Sequence, residues 1–182
     1  MITGMGRLAL LSVIVLLAFG AGPSSAPTSL PTTAPAKIAE FQGEYRFLSN
    51  FWPAAVEFEG LTYPTAEHAY QSAKTLDVNE RKRIAALKTP SEAKSAGRAL
   101  KLRDDWEQVK FDVMERVVRD KFTRNAELRE KLLATGDAYL EEGNTWGDRI
   151  WGVYQGQGEN RLGKILMKVR DELKDRNMKH ET

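Results

Sequence analysis

Fourteen consecutive residues, Pro23 to Ala36 (PSSAPTSLPTTAPA), hold four of the seven prolines and carry neither a charge nor an aromatic ring. Proline fixes φ and withholds an amide donor, so this stretch reads as an extended, solvated linker with no core of its own. Everything that folds must then come from residues 37–182, 146 in all (182 less the first 36), a length that suits one domain. The chain is 42% hydrophobic and 29% charged, enough for a real core and a soluble surface. That excludes a collagen-like, wholly disordered or multi-span membrane protein. There is no cysteine, which removes disulfides, zinc–cysteine sites, iron–sulfur clusters and cysteine nucleophiles. Two histidines, His68 and His180, offer little to a transition metal, and neither a metal nor a cofactor is expected. Beyond residue 36 stand 26 basic and 25 acidic residues, so a small polar substrate fits the balance better than a long polyanion.

Residues 1–22 contain a single charge, Arg7, followed by the apolar run Leu8 to Phe19 and then small residues. The run is too short to cross a bilayer as a helix, and the order of charge, apolar run and small residues matches a secretory signal. Cleavage is expected near Gly20–Gly22. A genuine signal implies an exported or periplasmic protein. The other reading is a start codon placed too far upstream, with a cytoplasmic protein. The expected organisation is therefore a signal-like segment 1–22, a linker 23–36 and one domain 37–182, with no membrane span in the mature domain.

Within that domain, Phe41 to Phe51 mixes aromatics with turn residues and reads as short extended pieces. Val56 and Phe58 alternate with glutamates, Gly60 allows a turn, and Leu61 and Tyr63 alternate beyond it, which predicts a β-hairpin. Thr65 can cap a helix to about Leu76, and Asn79 another to Leu87. Thr89-Pro90-Ser91-Glu92 has the form of a capping box with proline at the first helical position, and Gly97 is expected to end that helix. Asp105 caps a long helix to Phe122, with Trp106, Val109, Val113, Met114, Val117 and Phe122 at three- and four-residue steps. Asn125 opens the next helix and Gly136 closes it. The last helix runs from Asn160 to about Lys174. The predicted fold is α+β: a mostly helical single domain with a small amino-terminal hairpin region and a Gly/Trp-rich loop before the last helix.

Two segments carry candidate chemistry. In Thr65 to Lys74 (TAEHAYQSAK), helical spacing puts Glu67, Tyr70, Gln71 and Lys74 on one stripe. Facing a cleft, that stripe offers an acid/base group, hydrogen-bonding groups and an amine nucleophile. The alternative is that Glu67 and Lys74 merely complement the helix dipole. His68, one residue on, points elsewhere and reads as a structural histidine. In Trp146 to Gly163 (WGDRIWGVYQGQGENRLG), four glycines surround Asp148 and Trp151, and Asn160 opens a helix whose free amides favour an anion. The spacing is neither a dinucleotide fingerprint nor a P-loop. The loop either meets a phosphate or sugar oxygen, or lays its tryptophans over the core. Lys110 and Lys121 lie beside an apolar stripe, and snorkelling stems account for Lys110 better than for Lys121.

Taken in order, FLSNF (47–51), GLTYPTAEHAYQSAK (60–74), the Pro90–Ala93–Gly97-Arg98 spacing, Asp105-Trp106, Lys121-Phe122, LLATG (132–136), Trp151-Gly152 and ENRLGKILMKVR (159–170) are similar to the NADAR domain, the family of YbiA-like N-glycosidases. The resemblance spans about residues 40–174. It implies a compact, mainly helical α+β fold and cleavage of an N-glycosidic bond in a ribosylated pyrimidine intermediate of riboflavin synthesis, or in ADP-ribose attached to guanine, including guanine in nucleic acid. It places Asn50 and Phe51 near substrate, with Glu67, Lys74 and Asp148 as catalytic groups and Trp151-Gly152 in the binding loop. Tyr70 and Trp106 join them as surfaces for the base, and Asn160 as a phosphate contact. Val153-Tyr154 departs from the simpler glycine–aspartate run of many relatives, which bears on the leaving group. Two other readings share these residues: a non-catalytic ADP-ribose or nucleotide-binding module, and an interaction domain.

Overall fold

The computed structural model describes residues 35–180, so the signal-like segment and the linker up to residue 34 lie outside the described residues. The first paired strand is β1 (Lys37–Ile38), which runs parallel to β4 (Tyr139–Leu140). A 3₁₀ helix follows at Gly43–Leu48, where the sequence suggested extended pieces. The hairpin is β2 (Pro53–Phe58) against β3 (Leu61–Thr65), antiparallel, with Glu59 and Gly60 at positive φ in the turn. That geometry matches the right-handed twist of the two strands. Ala54, Val56 and Phe58 point inward and their neighbours outward, as the alternation requires.

β3 passes directly into α1 (Ala66–Ser72), the centre of the fold, all of whose residues are buried. Thr65 caps it, its hydroxyl accepting from the His68 amide at 3.3 Å. Ala66, Ala69 and Ala73 are fully enclosed, and their small side chains let the hairpin and three helices pack close around α1. His68 is a structural residue: Nδ1 lies 2.8 Å from the Thr65 hydroxyl and Nε2 3.2 Å from the Leu87 carbonyl.

The surrounding helices are α2 (Val78–Ala85), α3 (Pro90–Ala99), α4 (Trp106–Arg124), α5 (Ala126–Ala134) and α6 (Arg161–His180). Asp77, not Asn79, caps α2, because its carboxylate reaches the Asn79 and Glu80 amides at 2.8 and 3.3 Å. The capping box at Thr89 and Glu92 forms in both directions. Asp105 precedes α4 without capping it, its carboxylate being held by Arg103. Asn125 likewise gives its amide to the Lys121 and Ala55 carbonyls. α6 continues past Lys174 to His180. Before it, β5 (Gly143–Asn144) pairs in parallel with β6 (Val153–Tyr154), so the Gly/Trp-rich segment is folded back on itself. A core of Val56, Phe58, Tyr63, Val113, Val117, Phe122, Leu162, Leu166 and Val169 joins hairpin, α4 and α6. Each such side chain stabilises the fold by roughly 1.5–3 kcal/mol on burial.

Gly97 does not end α3, which runs through it. A Cβ there would overlap the Gln71 side chain of α1, so glycine sits where two helices touch. Gly97→Ala is accordingly expected to destabilise the protein by about 1–3 kcal/mol in urea melts, the usual cost of overpacking. In an open helix the same change would stabilise by about 1 kcal/mol, so a rise in stability would show that the contact yields.

Candidate active site

One cavity of about 560 Å³ lies between α1, α3, the start of α4, the turn after the 3₁₀ helix and the Gly/Trp-rich loop. Asn50, Phe51, Glu67, Tyr70, Lys74, Trp106, Asp148 and Trp151 all line it. Segments far apart in the sequence thus bring eight of the ten candidate residues to one place. Gly152 and Asn160 are not on the wall.

Glu67 is 6% exposed, and its Oε1 accepts from Gln71 Nε2 at 2.8 Å. Burial raises its pKa, opposed by that bond and by the cations of Lys94, Lys74 and Arg98. Lys74 lies just past the end of α1, with its ammonium 5.8 Å from the Tyr70 ring centre. Burial lowers its pKa, Glu67 opposes this, and Arg98 and Lys94 add to it. A depressed amine pKa is what a lysine nucleophile needs near neutrality. Asp148 Oδ1 accepts from the Ile150 and Trp151 amides, both at 2.9 Å, which fixes the loop.

Aromatic rings form another part of the lining. Tyr70 lies 5.2 Å from Trp106 and 5.3 Å from Trp151 between ring centres, and Trp151 meets Phe111 at 5.4 Å. The rings meet tilted or edge-to-face, and such a cluster offers ring faces and edges against which a planar base can pack. Burial and the carboxylates of Glu67, Glu107 and Asp148 hold the Tyr70 phenol well above its ordinary pKa, so it is a hydrogen-bond donor and not a base.

The turn bearing Asn50 and Phe51 is held from beneath. Lys121 is fully buried and donates to the Phe47 and Ser49 carbonyls at 2.6 and 2.8 Å, so it does not snorkel. Desolvation pushes its amine down to about 7. The Asn50 carbonyl accepts from the Glu67 amide at 3.0 Å, while the buried side-chain Oδ1 has no partner. Lys110 lines the cavity and pairs with Glu107.

The profile of the NADAR domain matches residues 39–174, most of the chain and all of the segments that build this cavity. The chain belongs to the NADAR domain family. It is 43% identical over 135 residues to "N-glycosidase YbiA" of Escherichia coli (strain K12), covering 71% of this chain and 82% of that one. It is 39% identical over 137 residues to "N-glycosidase Npun_R5314" of Nostoc punctiforme, covering 72% and 87%. The "Riboflavin biosynthesis protein VVA0006" of Vibrio vulnificus is 38% identical over 132 residues, but only 36% of that longer protein is matched. The NMR structure of the Escherichia coli protein YbiA superposes with a TM-score of 0.70 at 39% identity, covering 79% of this chain and 88% of that one. The α+β architecture is therefore that of the family.

Among the other residues of this NADAR domain that reach the cavity are Lys94 and Glu142, which the sequence did not mark, and Arg98, which it marked only within the family signature. Lys94 and Arg98 stand four apart on α3, a helical spacing that could have marked them. The Lys94 ammonium sits 5.6 Å from the Phe51 ring centre and 5.8 Å from that of Trp146. Burial, then Asp148 and Glu67, push the Glu142 carboxyl up to about 8 against the pull of Lys94. Asn160 contributes differently from expectation: its amide is used inside the protein, donating to Leu140 O at 2.8 Å and accepting from Glu142 N at 3.1 Å. No group of histidine and carboxylate side chains suited to holding a metal occurs among the described residues. No helix among them is long and apolar enough to cross a membrane.

Proposed function

We propose that this chain is an N-glycosidase that hydrolyses the bond between a base or aminopyrimidine and a phosphate-bearing ribose. It is a hydrolase acting on N-glycosyl compounds. The observation that carries the reading is the meeting of a buried carboxyl, Glu67, and a lysine of depressed pKa, Lys74, in one cavity with an aromatic wall. Relatives named N-glycosidases and riboflavin biosynthesis proteins support the same reaction class.

The finer reading is a ribosylated aminopyrimidine phosphate of the riboflavin route, with ADP-ribosylated guanine as the second substrate class. The base stacks on Tyr70, Trp106 and Trp151, and Asn50 offers its free amide oxygen. The phosphate meets Lys94 and Arg98. Glu67 stabilises positive charge developing at the anomeric carbon. Asp148 orients the sugar hydroxyls or the attacking water. Lys74 attacks C1 of the ring-opened sugar, the base leaves as its amine, and water then hydrolyses the lysine imine.

The test is a base-release assay by chromatography, with a ribosylaminopyrimidine phosphate and an ADP-ribosylated guanosine as separate substrates. Release of free base from either one is expected. Saturable ADP-ribose binding by calorimetry, with no base released over hours, would replace the enzyme by a binding module.

A further inference from the structure

Gly152 and Asn160 belong to the sequence signature yet do not reach the cavity, and both act on the backbone of one residue, Glu142. A Cβ at Gly152 would overlap the carbonyl oxygen of Glu142, so only glycine lets the loop lie this close. The next residue, Val153, donates its amide to that carbonyl at 2.9 Å. From the other side, Asn160 Oδ1 accepts from the Glu142 amide at 3.1 Å, with Asn160 itself at φ 50. Asparagine is among the few non-glycine residues that take this backbone conformation readily. Both faces of the Glu142 backbone are thereby fixed.

The preceding residue turns elsewhere: Glu141 pairs with Lys37 at 2.9 Å and does not line the cavity. The Glu142 side chain enters the cavity beside Glu67 and Asp148, and its carboxyl makes no hydrogen bond or ion pair with any described residue. A half-buried carboxyl without a partner is held more cheaply in its neutral, proton-bearing form than one in open water. The groups that act on it agree with that state. Asp148 from its own loop and Glu67 from α1 disfavour its charge, while Lys94 of α3 alone favours it. Lys74 and Arg98 act on Glu67 instead.

We propose that Glu142 is the general acid of this site, giving its proton to the base nitrogen as the glycosidic bond breaks. The assignment rests on the N-glycosidase reading. The C1–N bond breaks with its electron pair passing to the base nitrogen, which takes the Glu142 proton. The oxygen of one water ends on C1, directly or by hydrolysis of the Lys74 imine. The proton that water gives up passes through Asp148 and solvent back to Glu142. Substrate plus one water equals free base plus ribose phosphate, so atoms and charge balance. Burial disfavours the charge of both carboxyls, but Gln71, Lys94, Lys74 and Arg98 counter this at Glu67, whereas Lys94 alone does so at Glu142, which leaves Glu142 the better proton carrier.

The experiment uses a series of ribosylaminopyrimidine phosphates that share one sugar and differ in how electron-poor the leaving ring is. Glu142→Gln is expected to lose at least about 100-fold in kcat with the most basic leaving nitrogen and less than about 5-fold with the most electron-poor, since only the former needs the proton. In the unaltered protein, kcat with the basic leaving group should fall as pH rises through about 8, where Glu142 gives up its proton. That limb should be missing in Glu142→Gln. A uniform loss across the series, or a basic limb that survives the substitution, overturns the assignment while leaving the enzyme an N-glycosidase. An unaltered protein that releases base from no member of the series overturns the N-glycosidase reading and this assignment with it. The pH profile of the unaltered protein decides the matter even where the variant folds poorly.

Discussion

Glu67→Gln is expected to lower kcat by at least about 100-fold, the scale usual for a group that acts on charge in the transition state. Glutamine keeps the size of the side chain, and its carbonyl can still accept from Gln71 Nε2, so the packing of α1 against α3 survives. What disappears is the negative charge that the proposed mechanism sets beside the anomeric carbon. The melting temperature should therefore hardly move, and steady-state kinetics beside a thermal melt separates the two quantities. Because burial raises the Glu67 pKa, the ionised form is gained only above the ordinary carboxylate range. Activity should rise with pH through that raised value, and the rise should vanish in the variant. Unchanged turnover in Glu67→Gln would remove this residue from the chemistry.

Lys74→Arg and Lys74→Ala should both abolish turnover, each by roughly 1,000-fold or more, as expected for a side chain that forms a covalent bond. Arginine keeps the positive charge but stays protonated and forms no imine under these conditions. Lysine is different here because burial and the cations of Arg98 and Lys94 lower its pKa, leaving a larger neutral fraction. Borohydride added during turnover should trap a sugar adduct, and mass spectrometry should place it on Lys74. Near-normal rates in Lys74→Arg, with no adduct, would show that the residue only supplies charge. Glu67 and Asp148 would then act through water.

The polar stripe was legible because Thr65 to Lys74 keeps a helical spacing, although α1 ends at Ser72 and not at Leu76, leaving Lys74 just beyond it. The capping box at Thr89 and the hairpin around Gly60 were legible for the same local reason. Gly97 was misread because a glycine late in a helical run usually marks its end, whereas here the constraint comes from Gln71 on another helix. Asp77 took the cap expected of Asn79 because its carboxylate reaches the Asn79 and Glu80 amides, so the helix already begins at Val78. Glu142 stood beside Glu141 next to a two-residue strand, too short a run for alternation to tell inside from outside. Its place is set by Gly152, Val153 and Asn160, contacts across 10 to 18 residues that no local pattern carries. The family signature held Gly152 and Asn160, but the reason for them lay in the fold.

Phe51 and Asn50 owe their position to an amine that no ligand ever meets. With the Phe47 and Ser49 carbonyls tethered to Lys121, this stretch of wall is shaped when the chain folds, before anything enters. A loop left loose would have to be ordered at each encounter, at a cost of about 0.5–1.5 kcal/mol for every side chain immobilised. Here that entropy is surrendered once, and affinity reflects the fit of the ligand alone. This stretch of wall should accordingly need no slow rearrangement before a ligand is captured.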